Sequence, residues 1–425
     1  MDQDFDNGLE TLVKASFLRS AEAGSFNGVR ASDALIACGS PDLSRDPIAR
    51  LVATGRIDCN FSRNDPNPHI KRMPERDRAT QLALLADEPL ETFCLYPSRA
   101  SLADAVGDMY RDEPFSRALA LGAAQLDYTA FDLAALGRYR SDPRYNVTFH
   151  DYVGDMSITN QAYEDEAFPG RDKISVQSFG LGFDEEAMPY VVVFNRYLAN
   201  LTPEHQQYWN SFKVDRPVQM SSPYFQSSIV GDWWDNLSVR YAISEEMRLI
   251  NEMAIAITDK PLLRLLLTDN LPFDLSAFLV PSTDNFDQFM LSWDKLLSDN
   301  IDKGFFAGTI EPLIEQQRKD GRITVTEKGT LLLLREWLEL KLEGSDAPAM
   351  IDHVIQPLQT IRRARQAPAH RFQKNEFSKN FHLKRRQTLW SIFQSLTTLR
   401  EILSRFPLAR AIKAPDWLRE GIDVF

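Results

Sequence analysis

The chain has 425 residues, 44% of them hydrophobic and 25% charged, with a formal net charge of −12 at pH 7. These values suit a globular chain able to bury a sizeable core, and they exclude a collagen-like, coiled-coil or mainly disordered protein. Only Cys38, Cys59 and Cys94 are available as thiols, too few and too widely spaced for a disulfide framework or a cysteine-based metal site.

The opening MDQDFDNGLE is acidic and has no apolar leader, and no apolar run approaches the ~18 residues that span a bilayer. A cytoplasmic protein without a membrane partner is therefore expected. Asp2, Asp4 and Asp6 imitate the start of a calcium loop, but Asn7 and Val13 stand where a tight-turn glycine and a bidentate glutamate are needed. Residues 1–99 mix short helical signals, as in Gly8 to Arg19, with polar proline-bearing stretches, and predict an irregular, partly helical segment. Residues 100–240 read as a mixed α/β domain. Apolar spacing of three and four predicts helices within Ser101 to Tyr139, and Val, Ile and Phe enrichment predicts strands at Lys173 to Phe183 and Tyr190 to Phe194. Thr202-Pro203-Glu204 carries a helix start: a capping hydroxyl, proline at the first helical position and an acid near the positive end of the dipole.

Beyond Tyr241 the strand signal fades. Residues 241–284 are expected to be a helical connector and 285–425 a helical bundle, with Pro281-Ser282-Thr283 as the boundary. The predicted helices are Ser244 to Ile257, Asn285 to Asn300, Ile310 to Lys319, Thr330 to Lys341, Ala347 to Arg365 and Phe377 to Phe406. Asp320-Gly321 and Lys328-Gly329 bracket an ITVT segment that reads as a short hairpin or extended connector. The expected fold class is α+β, a mixed N-terminal α/β region followed by a mainly α-helical C-terminal bundle.

The net charge hides a division. Residues 346–425 hold 14 Lys and Arg against 7 Asp and Glu, which leaves 34 basic and 53 acidic residues, a balance of −19, for residues 1–345. Screening limits each charge's reach to roughly 8–10 Å, so a basic end can attract a polyanion although the whole chain is acidic. No P-loop, dinucleotide-binding or H-E-x-x-H motif occurs. Glu339-Leu340-Lys341 echoes a nuclease E-x-K but lies on a helical pattern, and Trp233-Trp234 is more readily core and rim than a base-stacking platform.

Chemistry concentrates in Ile361-Arg362-Arg363-Ala364-Arg365-Gln366-Ala367-Pro368-Ala369-His370. Pro368 disfavours helix at Ala367, so the preceding helix should end near Gln366 and present Arg363 or Arg365 on its last turn, with His370 just beyond. Arg371, Lys374 and Asn375 follow before the final helix. His382, Lys384, Arg385 and Arg386 on that helix are expected to face phosphate or solvent, and His69, His150, His205 and His353 to be structural or exposed. A capping role, cations meeting the negative end of a helix, would account for the same residues.

The segment resembles the HEPN superfamily, whose ribonucleases carry an Arg, four to six residues and a His at the junction of two helices in a small bundle. The resemblance covers roughly residues 285–425. It implies Arg365 and His370 as catalytic residues, with Arg363 also within the spacing, and a homodimer across the motif that supplies a second set of groups. Gln366 fits the polar position after the Arg, although Asn or Asp is commoner there, and Pro368 lies within the spacer. The residue types suit metal-free cleavage of RNA: histidine can exchange a proton near neutral pH, and a guanidinium matches phosphate oxygens and the charge added in the transition state.

The expected function is a metal-independent endoribonuclease of toxin or phage-defence type acting through 2′-OH attack, with no cofactor and with RNA as partner. Arg362, Arg363, Gln366, Arg371, Lys374 and Asn375 would bind substrate, and the acidic N-terminal region would regulate the bundle or receive a signal or protein. The alternative is a non-catalytic module or scaffold binding RNA, a nucleotide or a protein. The dimer is expected to form through the bundle, because Leu389, Ile392, Phe393, Leu396, Leu399, Ile402 and Leu403 make an apolar surface broader than one core-facing stripe needs.

Overall fold

The computed structural model describes residues 2–40, 42–62, 67–150, 152–232, 238–267, 278–317, 323–366 and 374–420. The fold is α+β. The chain clusters into two compact units, residues 1–148 with 153–221 and residues 149–152 with 222–425. The expected subdivisions at 240 and 284 fall inside the second unit.

The first unit begins with a helix, Asp2–Glu22, whose Leu9, Val13, Phe17 and Ala21 recur every four residues and are all buried. Asp6 on this helix accepts from Nε and Nη2 of Arg50, both at 2.8 Å, so the acidic opening serves an ion pair. The segment expected to be irregular also contains a three-stranded antiparallel sheet, with β3 (Phe93–Pro97) between β1 (Val29–Arg30) and β2 (Ile57–Phe61). β1 has only two residues and β3 is buried at every position, while β2 alternates apolar and polar side chains over just five residues, Ile57 to Phe61, and runs this short carry little strand signal in the sequence.

A second sheet is built from β4 (Tyr128–Phe131), β5 (Tyr145–His150), β6 (Val153–Ile158), β7 (Ser175–Phe183), β8 (Pro189–Phe194) and β9 (Gln219–Met220), in the order β4-β8-β7-β6-β5 with β9 on β7. β7 and β8 match the sequence expectation to within two residues, and β8 carries the Val-rich run. The Pro203–Asn210 helix also begins where expected, although the Thr202 hydroxyl donates to the Arg171 carbonyl at 2.8 Å rather than capping the helix. That helix buries His205 completely, with Nε2 3.0 Å from Asp172 Oδ1 and Nδ1 2.7 Å from the Tyr139 hydroxyl. Trp209 Nε1 donates to the same hydroxyl at 3.1 Å, so each polar group in this chain of contacts has a partner and the histidine is structural.

The second unit is a helical bundle. Its long elements are Val239–Thr258, Thr283–Leu296, Thr330–Lys341, Ala347–Gln366 and Asn380–Ser404. The 380–404 helix lies against both the 239–258 and the 347–366 helices, and the 347–366 helix also receives the 283–296 and 330–341 helices. Trp293, Trp337, Phe289, Ile355, Leu389 and Ile402 lie in one shared core. The seven apolar residues of the 380–404 helix expected to serve a dimer are all within that core, 0–7% exposed, because two neighbouring helices of the same chain cover two faces of it. Their breadth therefore gives no ground for a second copy.

Residues 310–319, expected to be helical, supply β10 (Leu313–Gln317), paired antiparallel with β11 (Ile323–Glu327), the ITVT segment. Leu313 lies opposite Glu327 and Glu315 opposite Val325. A five-residue run is too short for helical periodicity to be told from a strand, and pairing with β11 decides the matter. Among the described residues no helix is long and apolar enough to cross a membrane, and no group of His, Cys, Asp and Glu is placed to hold a metal ion.

Candidate nucleic-acid interface

The 347–366 helix ends at Gln366, as the proline two residues later requires, and its last turn presents the arginines. His370 and Arg371 lie outside the described residues, as do Trp233 and Trp234. On a helix, residues 362 and 365 share one flank while 363 is turned about 100° away. The two flanks have different surroundings.

Arg365 is held by two carboxylates. Its Nη1 donates to Asp294 Oδ2 at 2.6 Å and to Asp299 Oδ2 at 2.5 Å. These bonds, to Asp294 first, raise the guanidinium's pKa above its ordinary value. Arg362 donates from Nη2 to Asp299 Oδ1 at 3.3 Å and from Nη1 to the Thr330 hydroxyl at 3.2 Å, and that hydroxyl donates to the Ser298 carbonyl at 2.6 Å. Asp299 thus bridges two guanidinium groups, one oxygen to each. Asp294 is completely buried and its Oδ1 has no hydrogen-bond partner among the described residues. Arg362, Arg365 and Asp299 remain about one-third exposed, with side-chain values of 31, 33 and 36%.

Arg363 and Gln366 are exposed, and no hydrogen bond or ion pair of Arg363 is seen among the described residues. Lys374 is likewise exposed. Asn375 has a local structural role: its Oδ1 accepts from the Asp284 amide at 3.2 Å, at the start of the 283–296 helix. Beside it, three hydrogen bonds link Thr283 and Glu376, at 3.0, 3.2 and 3.4 Å, which clips the segment after the motif to the helix that carries Asp294.

The expectation that His382 and Arg385 face phosphate or solvent is corrected, since both are buried, at 7 and 5% exposure. Burial, then the neighbouring Arg385, pushes the His382 imidazole down to about 4, so it is neutral at pH 7 and stacks obliquely against Phe278, with centroids 6.0 Å apart. Burial, then Arg240 and Arg386, brings Arg385 down to about 9. Lys384 remains exposed, with Nζ 5.3 Å from the Phe381 ring centroid. It lines a groove of about 540 Å³ with Phe286 and Met290 on one side and His353, Gln356 and Thr360 of the arginine helix on another.

Sequence reasoning missed Asp294, Asp299 and Thr330. One signal existed. In Phe289-Met290…Trp293-Asp294…Leu297 the aspartate sits in the apolar phase of the helix, and a carboxylate there calls for a buried cation. Comparison with protein-family models, curated proteins and solved structures found no match, so the functional reading rests on these residues and their surroundings.

Proposed function

We propose that the end of the 347–366 helix and the His370 segment that follows it form a HEPN-like site for metal-independent cleavage of RNA. The observation that carries the reading is the exposed Arg363 on the last turn of this helix, without a hydrogen bond or ion pair among the described residues and separated from His370 by six residues. Arg362 and Arg365, anchored to the 283–296 helix and the turn after it, fix the orientation of that turn. In the proposed reaction His370 accepts the proton of a ribose 2′-OH, the oxygen attacks phosphorus, and the 5′-oxygen leaves with a proton, giving a 2′,3′-cyclic phosphate. Arg363 stabilises the charge on the phosphoryl oxygens. The second proton-transfer group would come from a second copy across the junction, a part of the proposal refuted if a strict monomer is active. Regulation by the acidic N-terminal region rests on the balance of −19 over residues 1–345 and predicts greater activity as salt rises at low ionic strength.

Incubation of the full chain with a mixed RNA pool in EDTA tests the reading. Cleavage is expected to fall by about 10² or more in Arg363→Ala and His370→Ala with unchanged thermal unfolding. Full cleavage in His370→Ala would end the catalytic assignment. The double engagement of Arg365 by carboxylates favours a second reading, a module that binds RNA without cutting it, and binding without cleavage in the same assay would select it.

A further inference from the structure

The geometry points to Asp299 as an internal competitor for phosphate: its carboxylate occupies the faces of Arg362 and Arg365 that would otherwise receive a phosphodiester, so the site is shielded until RNA displaces it. This rests on reading the helix end as an RNA site. The two carboxylates around Arg365 differ. Asp294 is fully buried and serves as an anchor, whereas Asp299 is 36% exposed and sends one oxygen to each arginine, at 3.3 and 2.5 Å. Two oxygens of one anion split between two guanidinium groups is the arrangement a phosphodiester's non-bridging oxygens would adopt.

Charge reinforces the geometry. Arg362, Arg365, Asp294 and Asp299 sum to zero, so an incoming phosphate meets a neutral cluster, and withdrawal of Asp299 leaves a net positive charge facing solvent. The withdrawal needs no backbone movement. The Asp299 amide donates to the Asp294 carbonyl at 3.0 Å, its carbonyl accepts from the Arg264 guanidinium, and the next residue, Asn300, is tied through its side chain to both backbone groups of Leu265. The turn is fixed and only a partly exposed side chain has to rotate, a change that exposed side chains make within nanoseconds.

The test uses Asp299→Asn, which keeps the shape and removes the charge, in the full chain. Affinity is read by fluorescence anisotropy for a labelled single-stranded RNA and by calorimetry for inorganic tripolyphosphate. Asp299→Asn is expected to bind both about five- to ten-fold more tightly at low salt, with a salt slope steeper by about one counterion. The gain should vanish in the Arg362→Ala background, because it acts through the released arginines. Unchanged affinity for both probes in a normally folded Asp299→Asn protein, or a gain that persists without Arg362, overturns the shielding. Should folding suffer, Asp299→Ser provides the same comparison. Tighter tripolyphosphate binding with no RNA binding or cleavage would sink the ribonuclease reading and leave the shield standing, whereas RNA cleavage with no gain in Asp299→Asn would do the reverse.

Discussion

Arg400→Met should be among the most damaging single changes in the helical unit, for a reason that can be followed to particular atoms. Glu246 of the 239–258 helix is 0% exposed, and Arg400 of the 380–404 helix is 7% exposed. Arg400 Nε donates to Glu246 Oε2 at 2.6 Å and the Thr397 hydroxyl to Oε1 at 2.9 Å. Burial raises the Glu246 carboxyl above its ordinary range even though both of these donors pull it down. Methionine would fill much of the arginine's volume and leave the carboxylate uncompensated, a loss of about 3–5 kcal/mol, whereas replacing both partners by Met should recover most of it. A carboxyl whose folded pKa is raised contributes stability that is fully present below its unfolded pKa, ordinarily 4.5, and is lost as pH rises through the folded value. Arg400→Met raises the folded value further, so its deficit should be largest at neutral pH and shrink toward pH 5. Hydrogen exchange on peptides from the 239–258 and 380–404 helices, in the full chain, gives the local opening energy at each pH. A deficit below about 1 kcal/mol at pH 7 would refute the reasoning about an unpaired buried charge. So would one that does not change with pH, or a double variant no better than the single.

His382, depressed to about 4 against an ordinary 6.5, contributes stability that is present above pH 6.5 and lost as pH falls toward 4, up to roughly 3 kcal/mol. His382→Leu should flatten that acid loss, and an unchanged pH profile of unfolding would count against it. Gly154 lies at an irregularity of the β6–β7 pairing, where an added Cβ would stand 2.4 Å from Phe179 Cζ and 2.5 Å from the Thr148 carbonyl oxygen. Gly154→Ala should therefore cost about 1–3 kcal/mol in chemical denaturation of the first unit, and a neutral effect would mean the backbone yields.

The sequence by itself carried the elements with strong local signals. The 330–341 helix, the end of the arginine helix before Pro368, and the Val-rich strand β8 all follow from periodicity, proline geometry or β-branched content within a short window. The concentration of arginines at a helix end was equally legible, because a helix terminus and its basic residues are neighbours in the chain. Tertiary structure alone decided the fate of each cation. Arg365 meets Asp294 and Asp299, residues 66–71 positions earlier in the chain, while Arg363, two positions away, faces solvent. His382 and Arg385 look like surface residues of a basic helix until the fold buries them, with Phe278 against the imidazole and Arg240 within electrostatic reach of Arg385, and desolvation sets their protonation. The same burial claims the apolar stripe of the final helix for the monomer's own core. Local propensity is fixed by neighbours along the chain, but the charge state and accessibility of a side chain depend on what packs against it, and those partners lie tens to more than a hundred residues away.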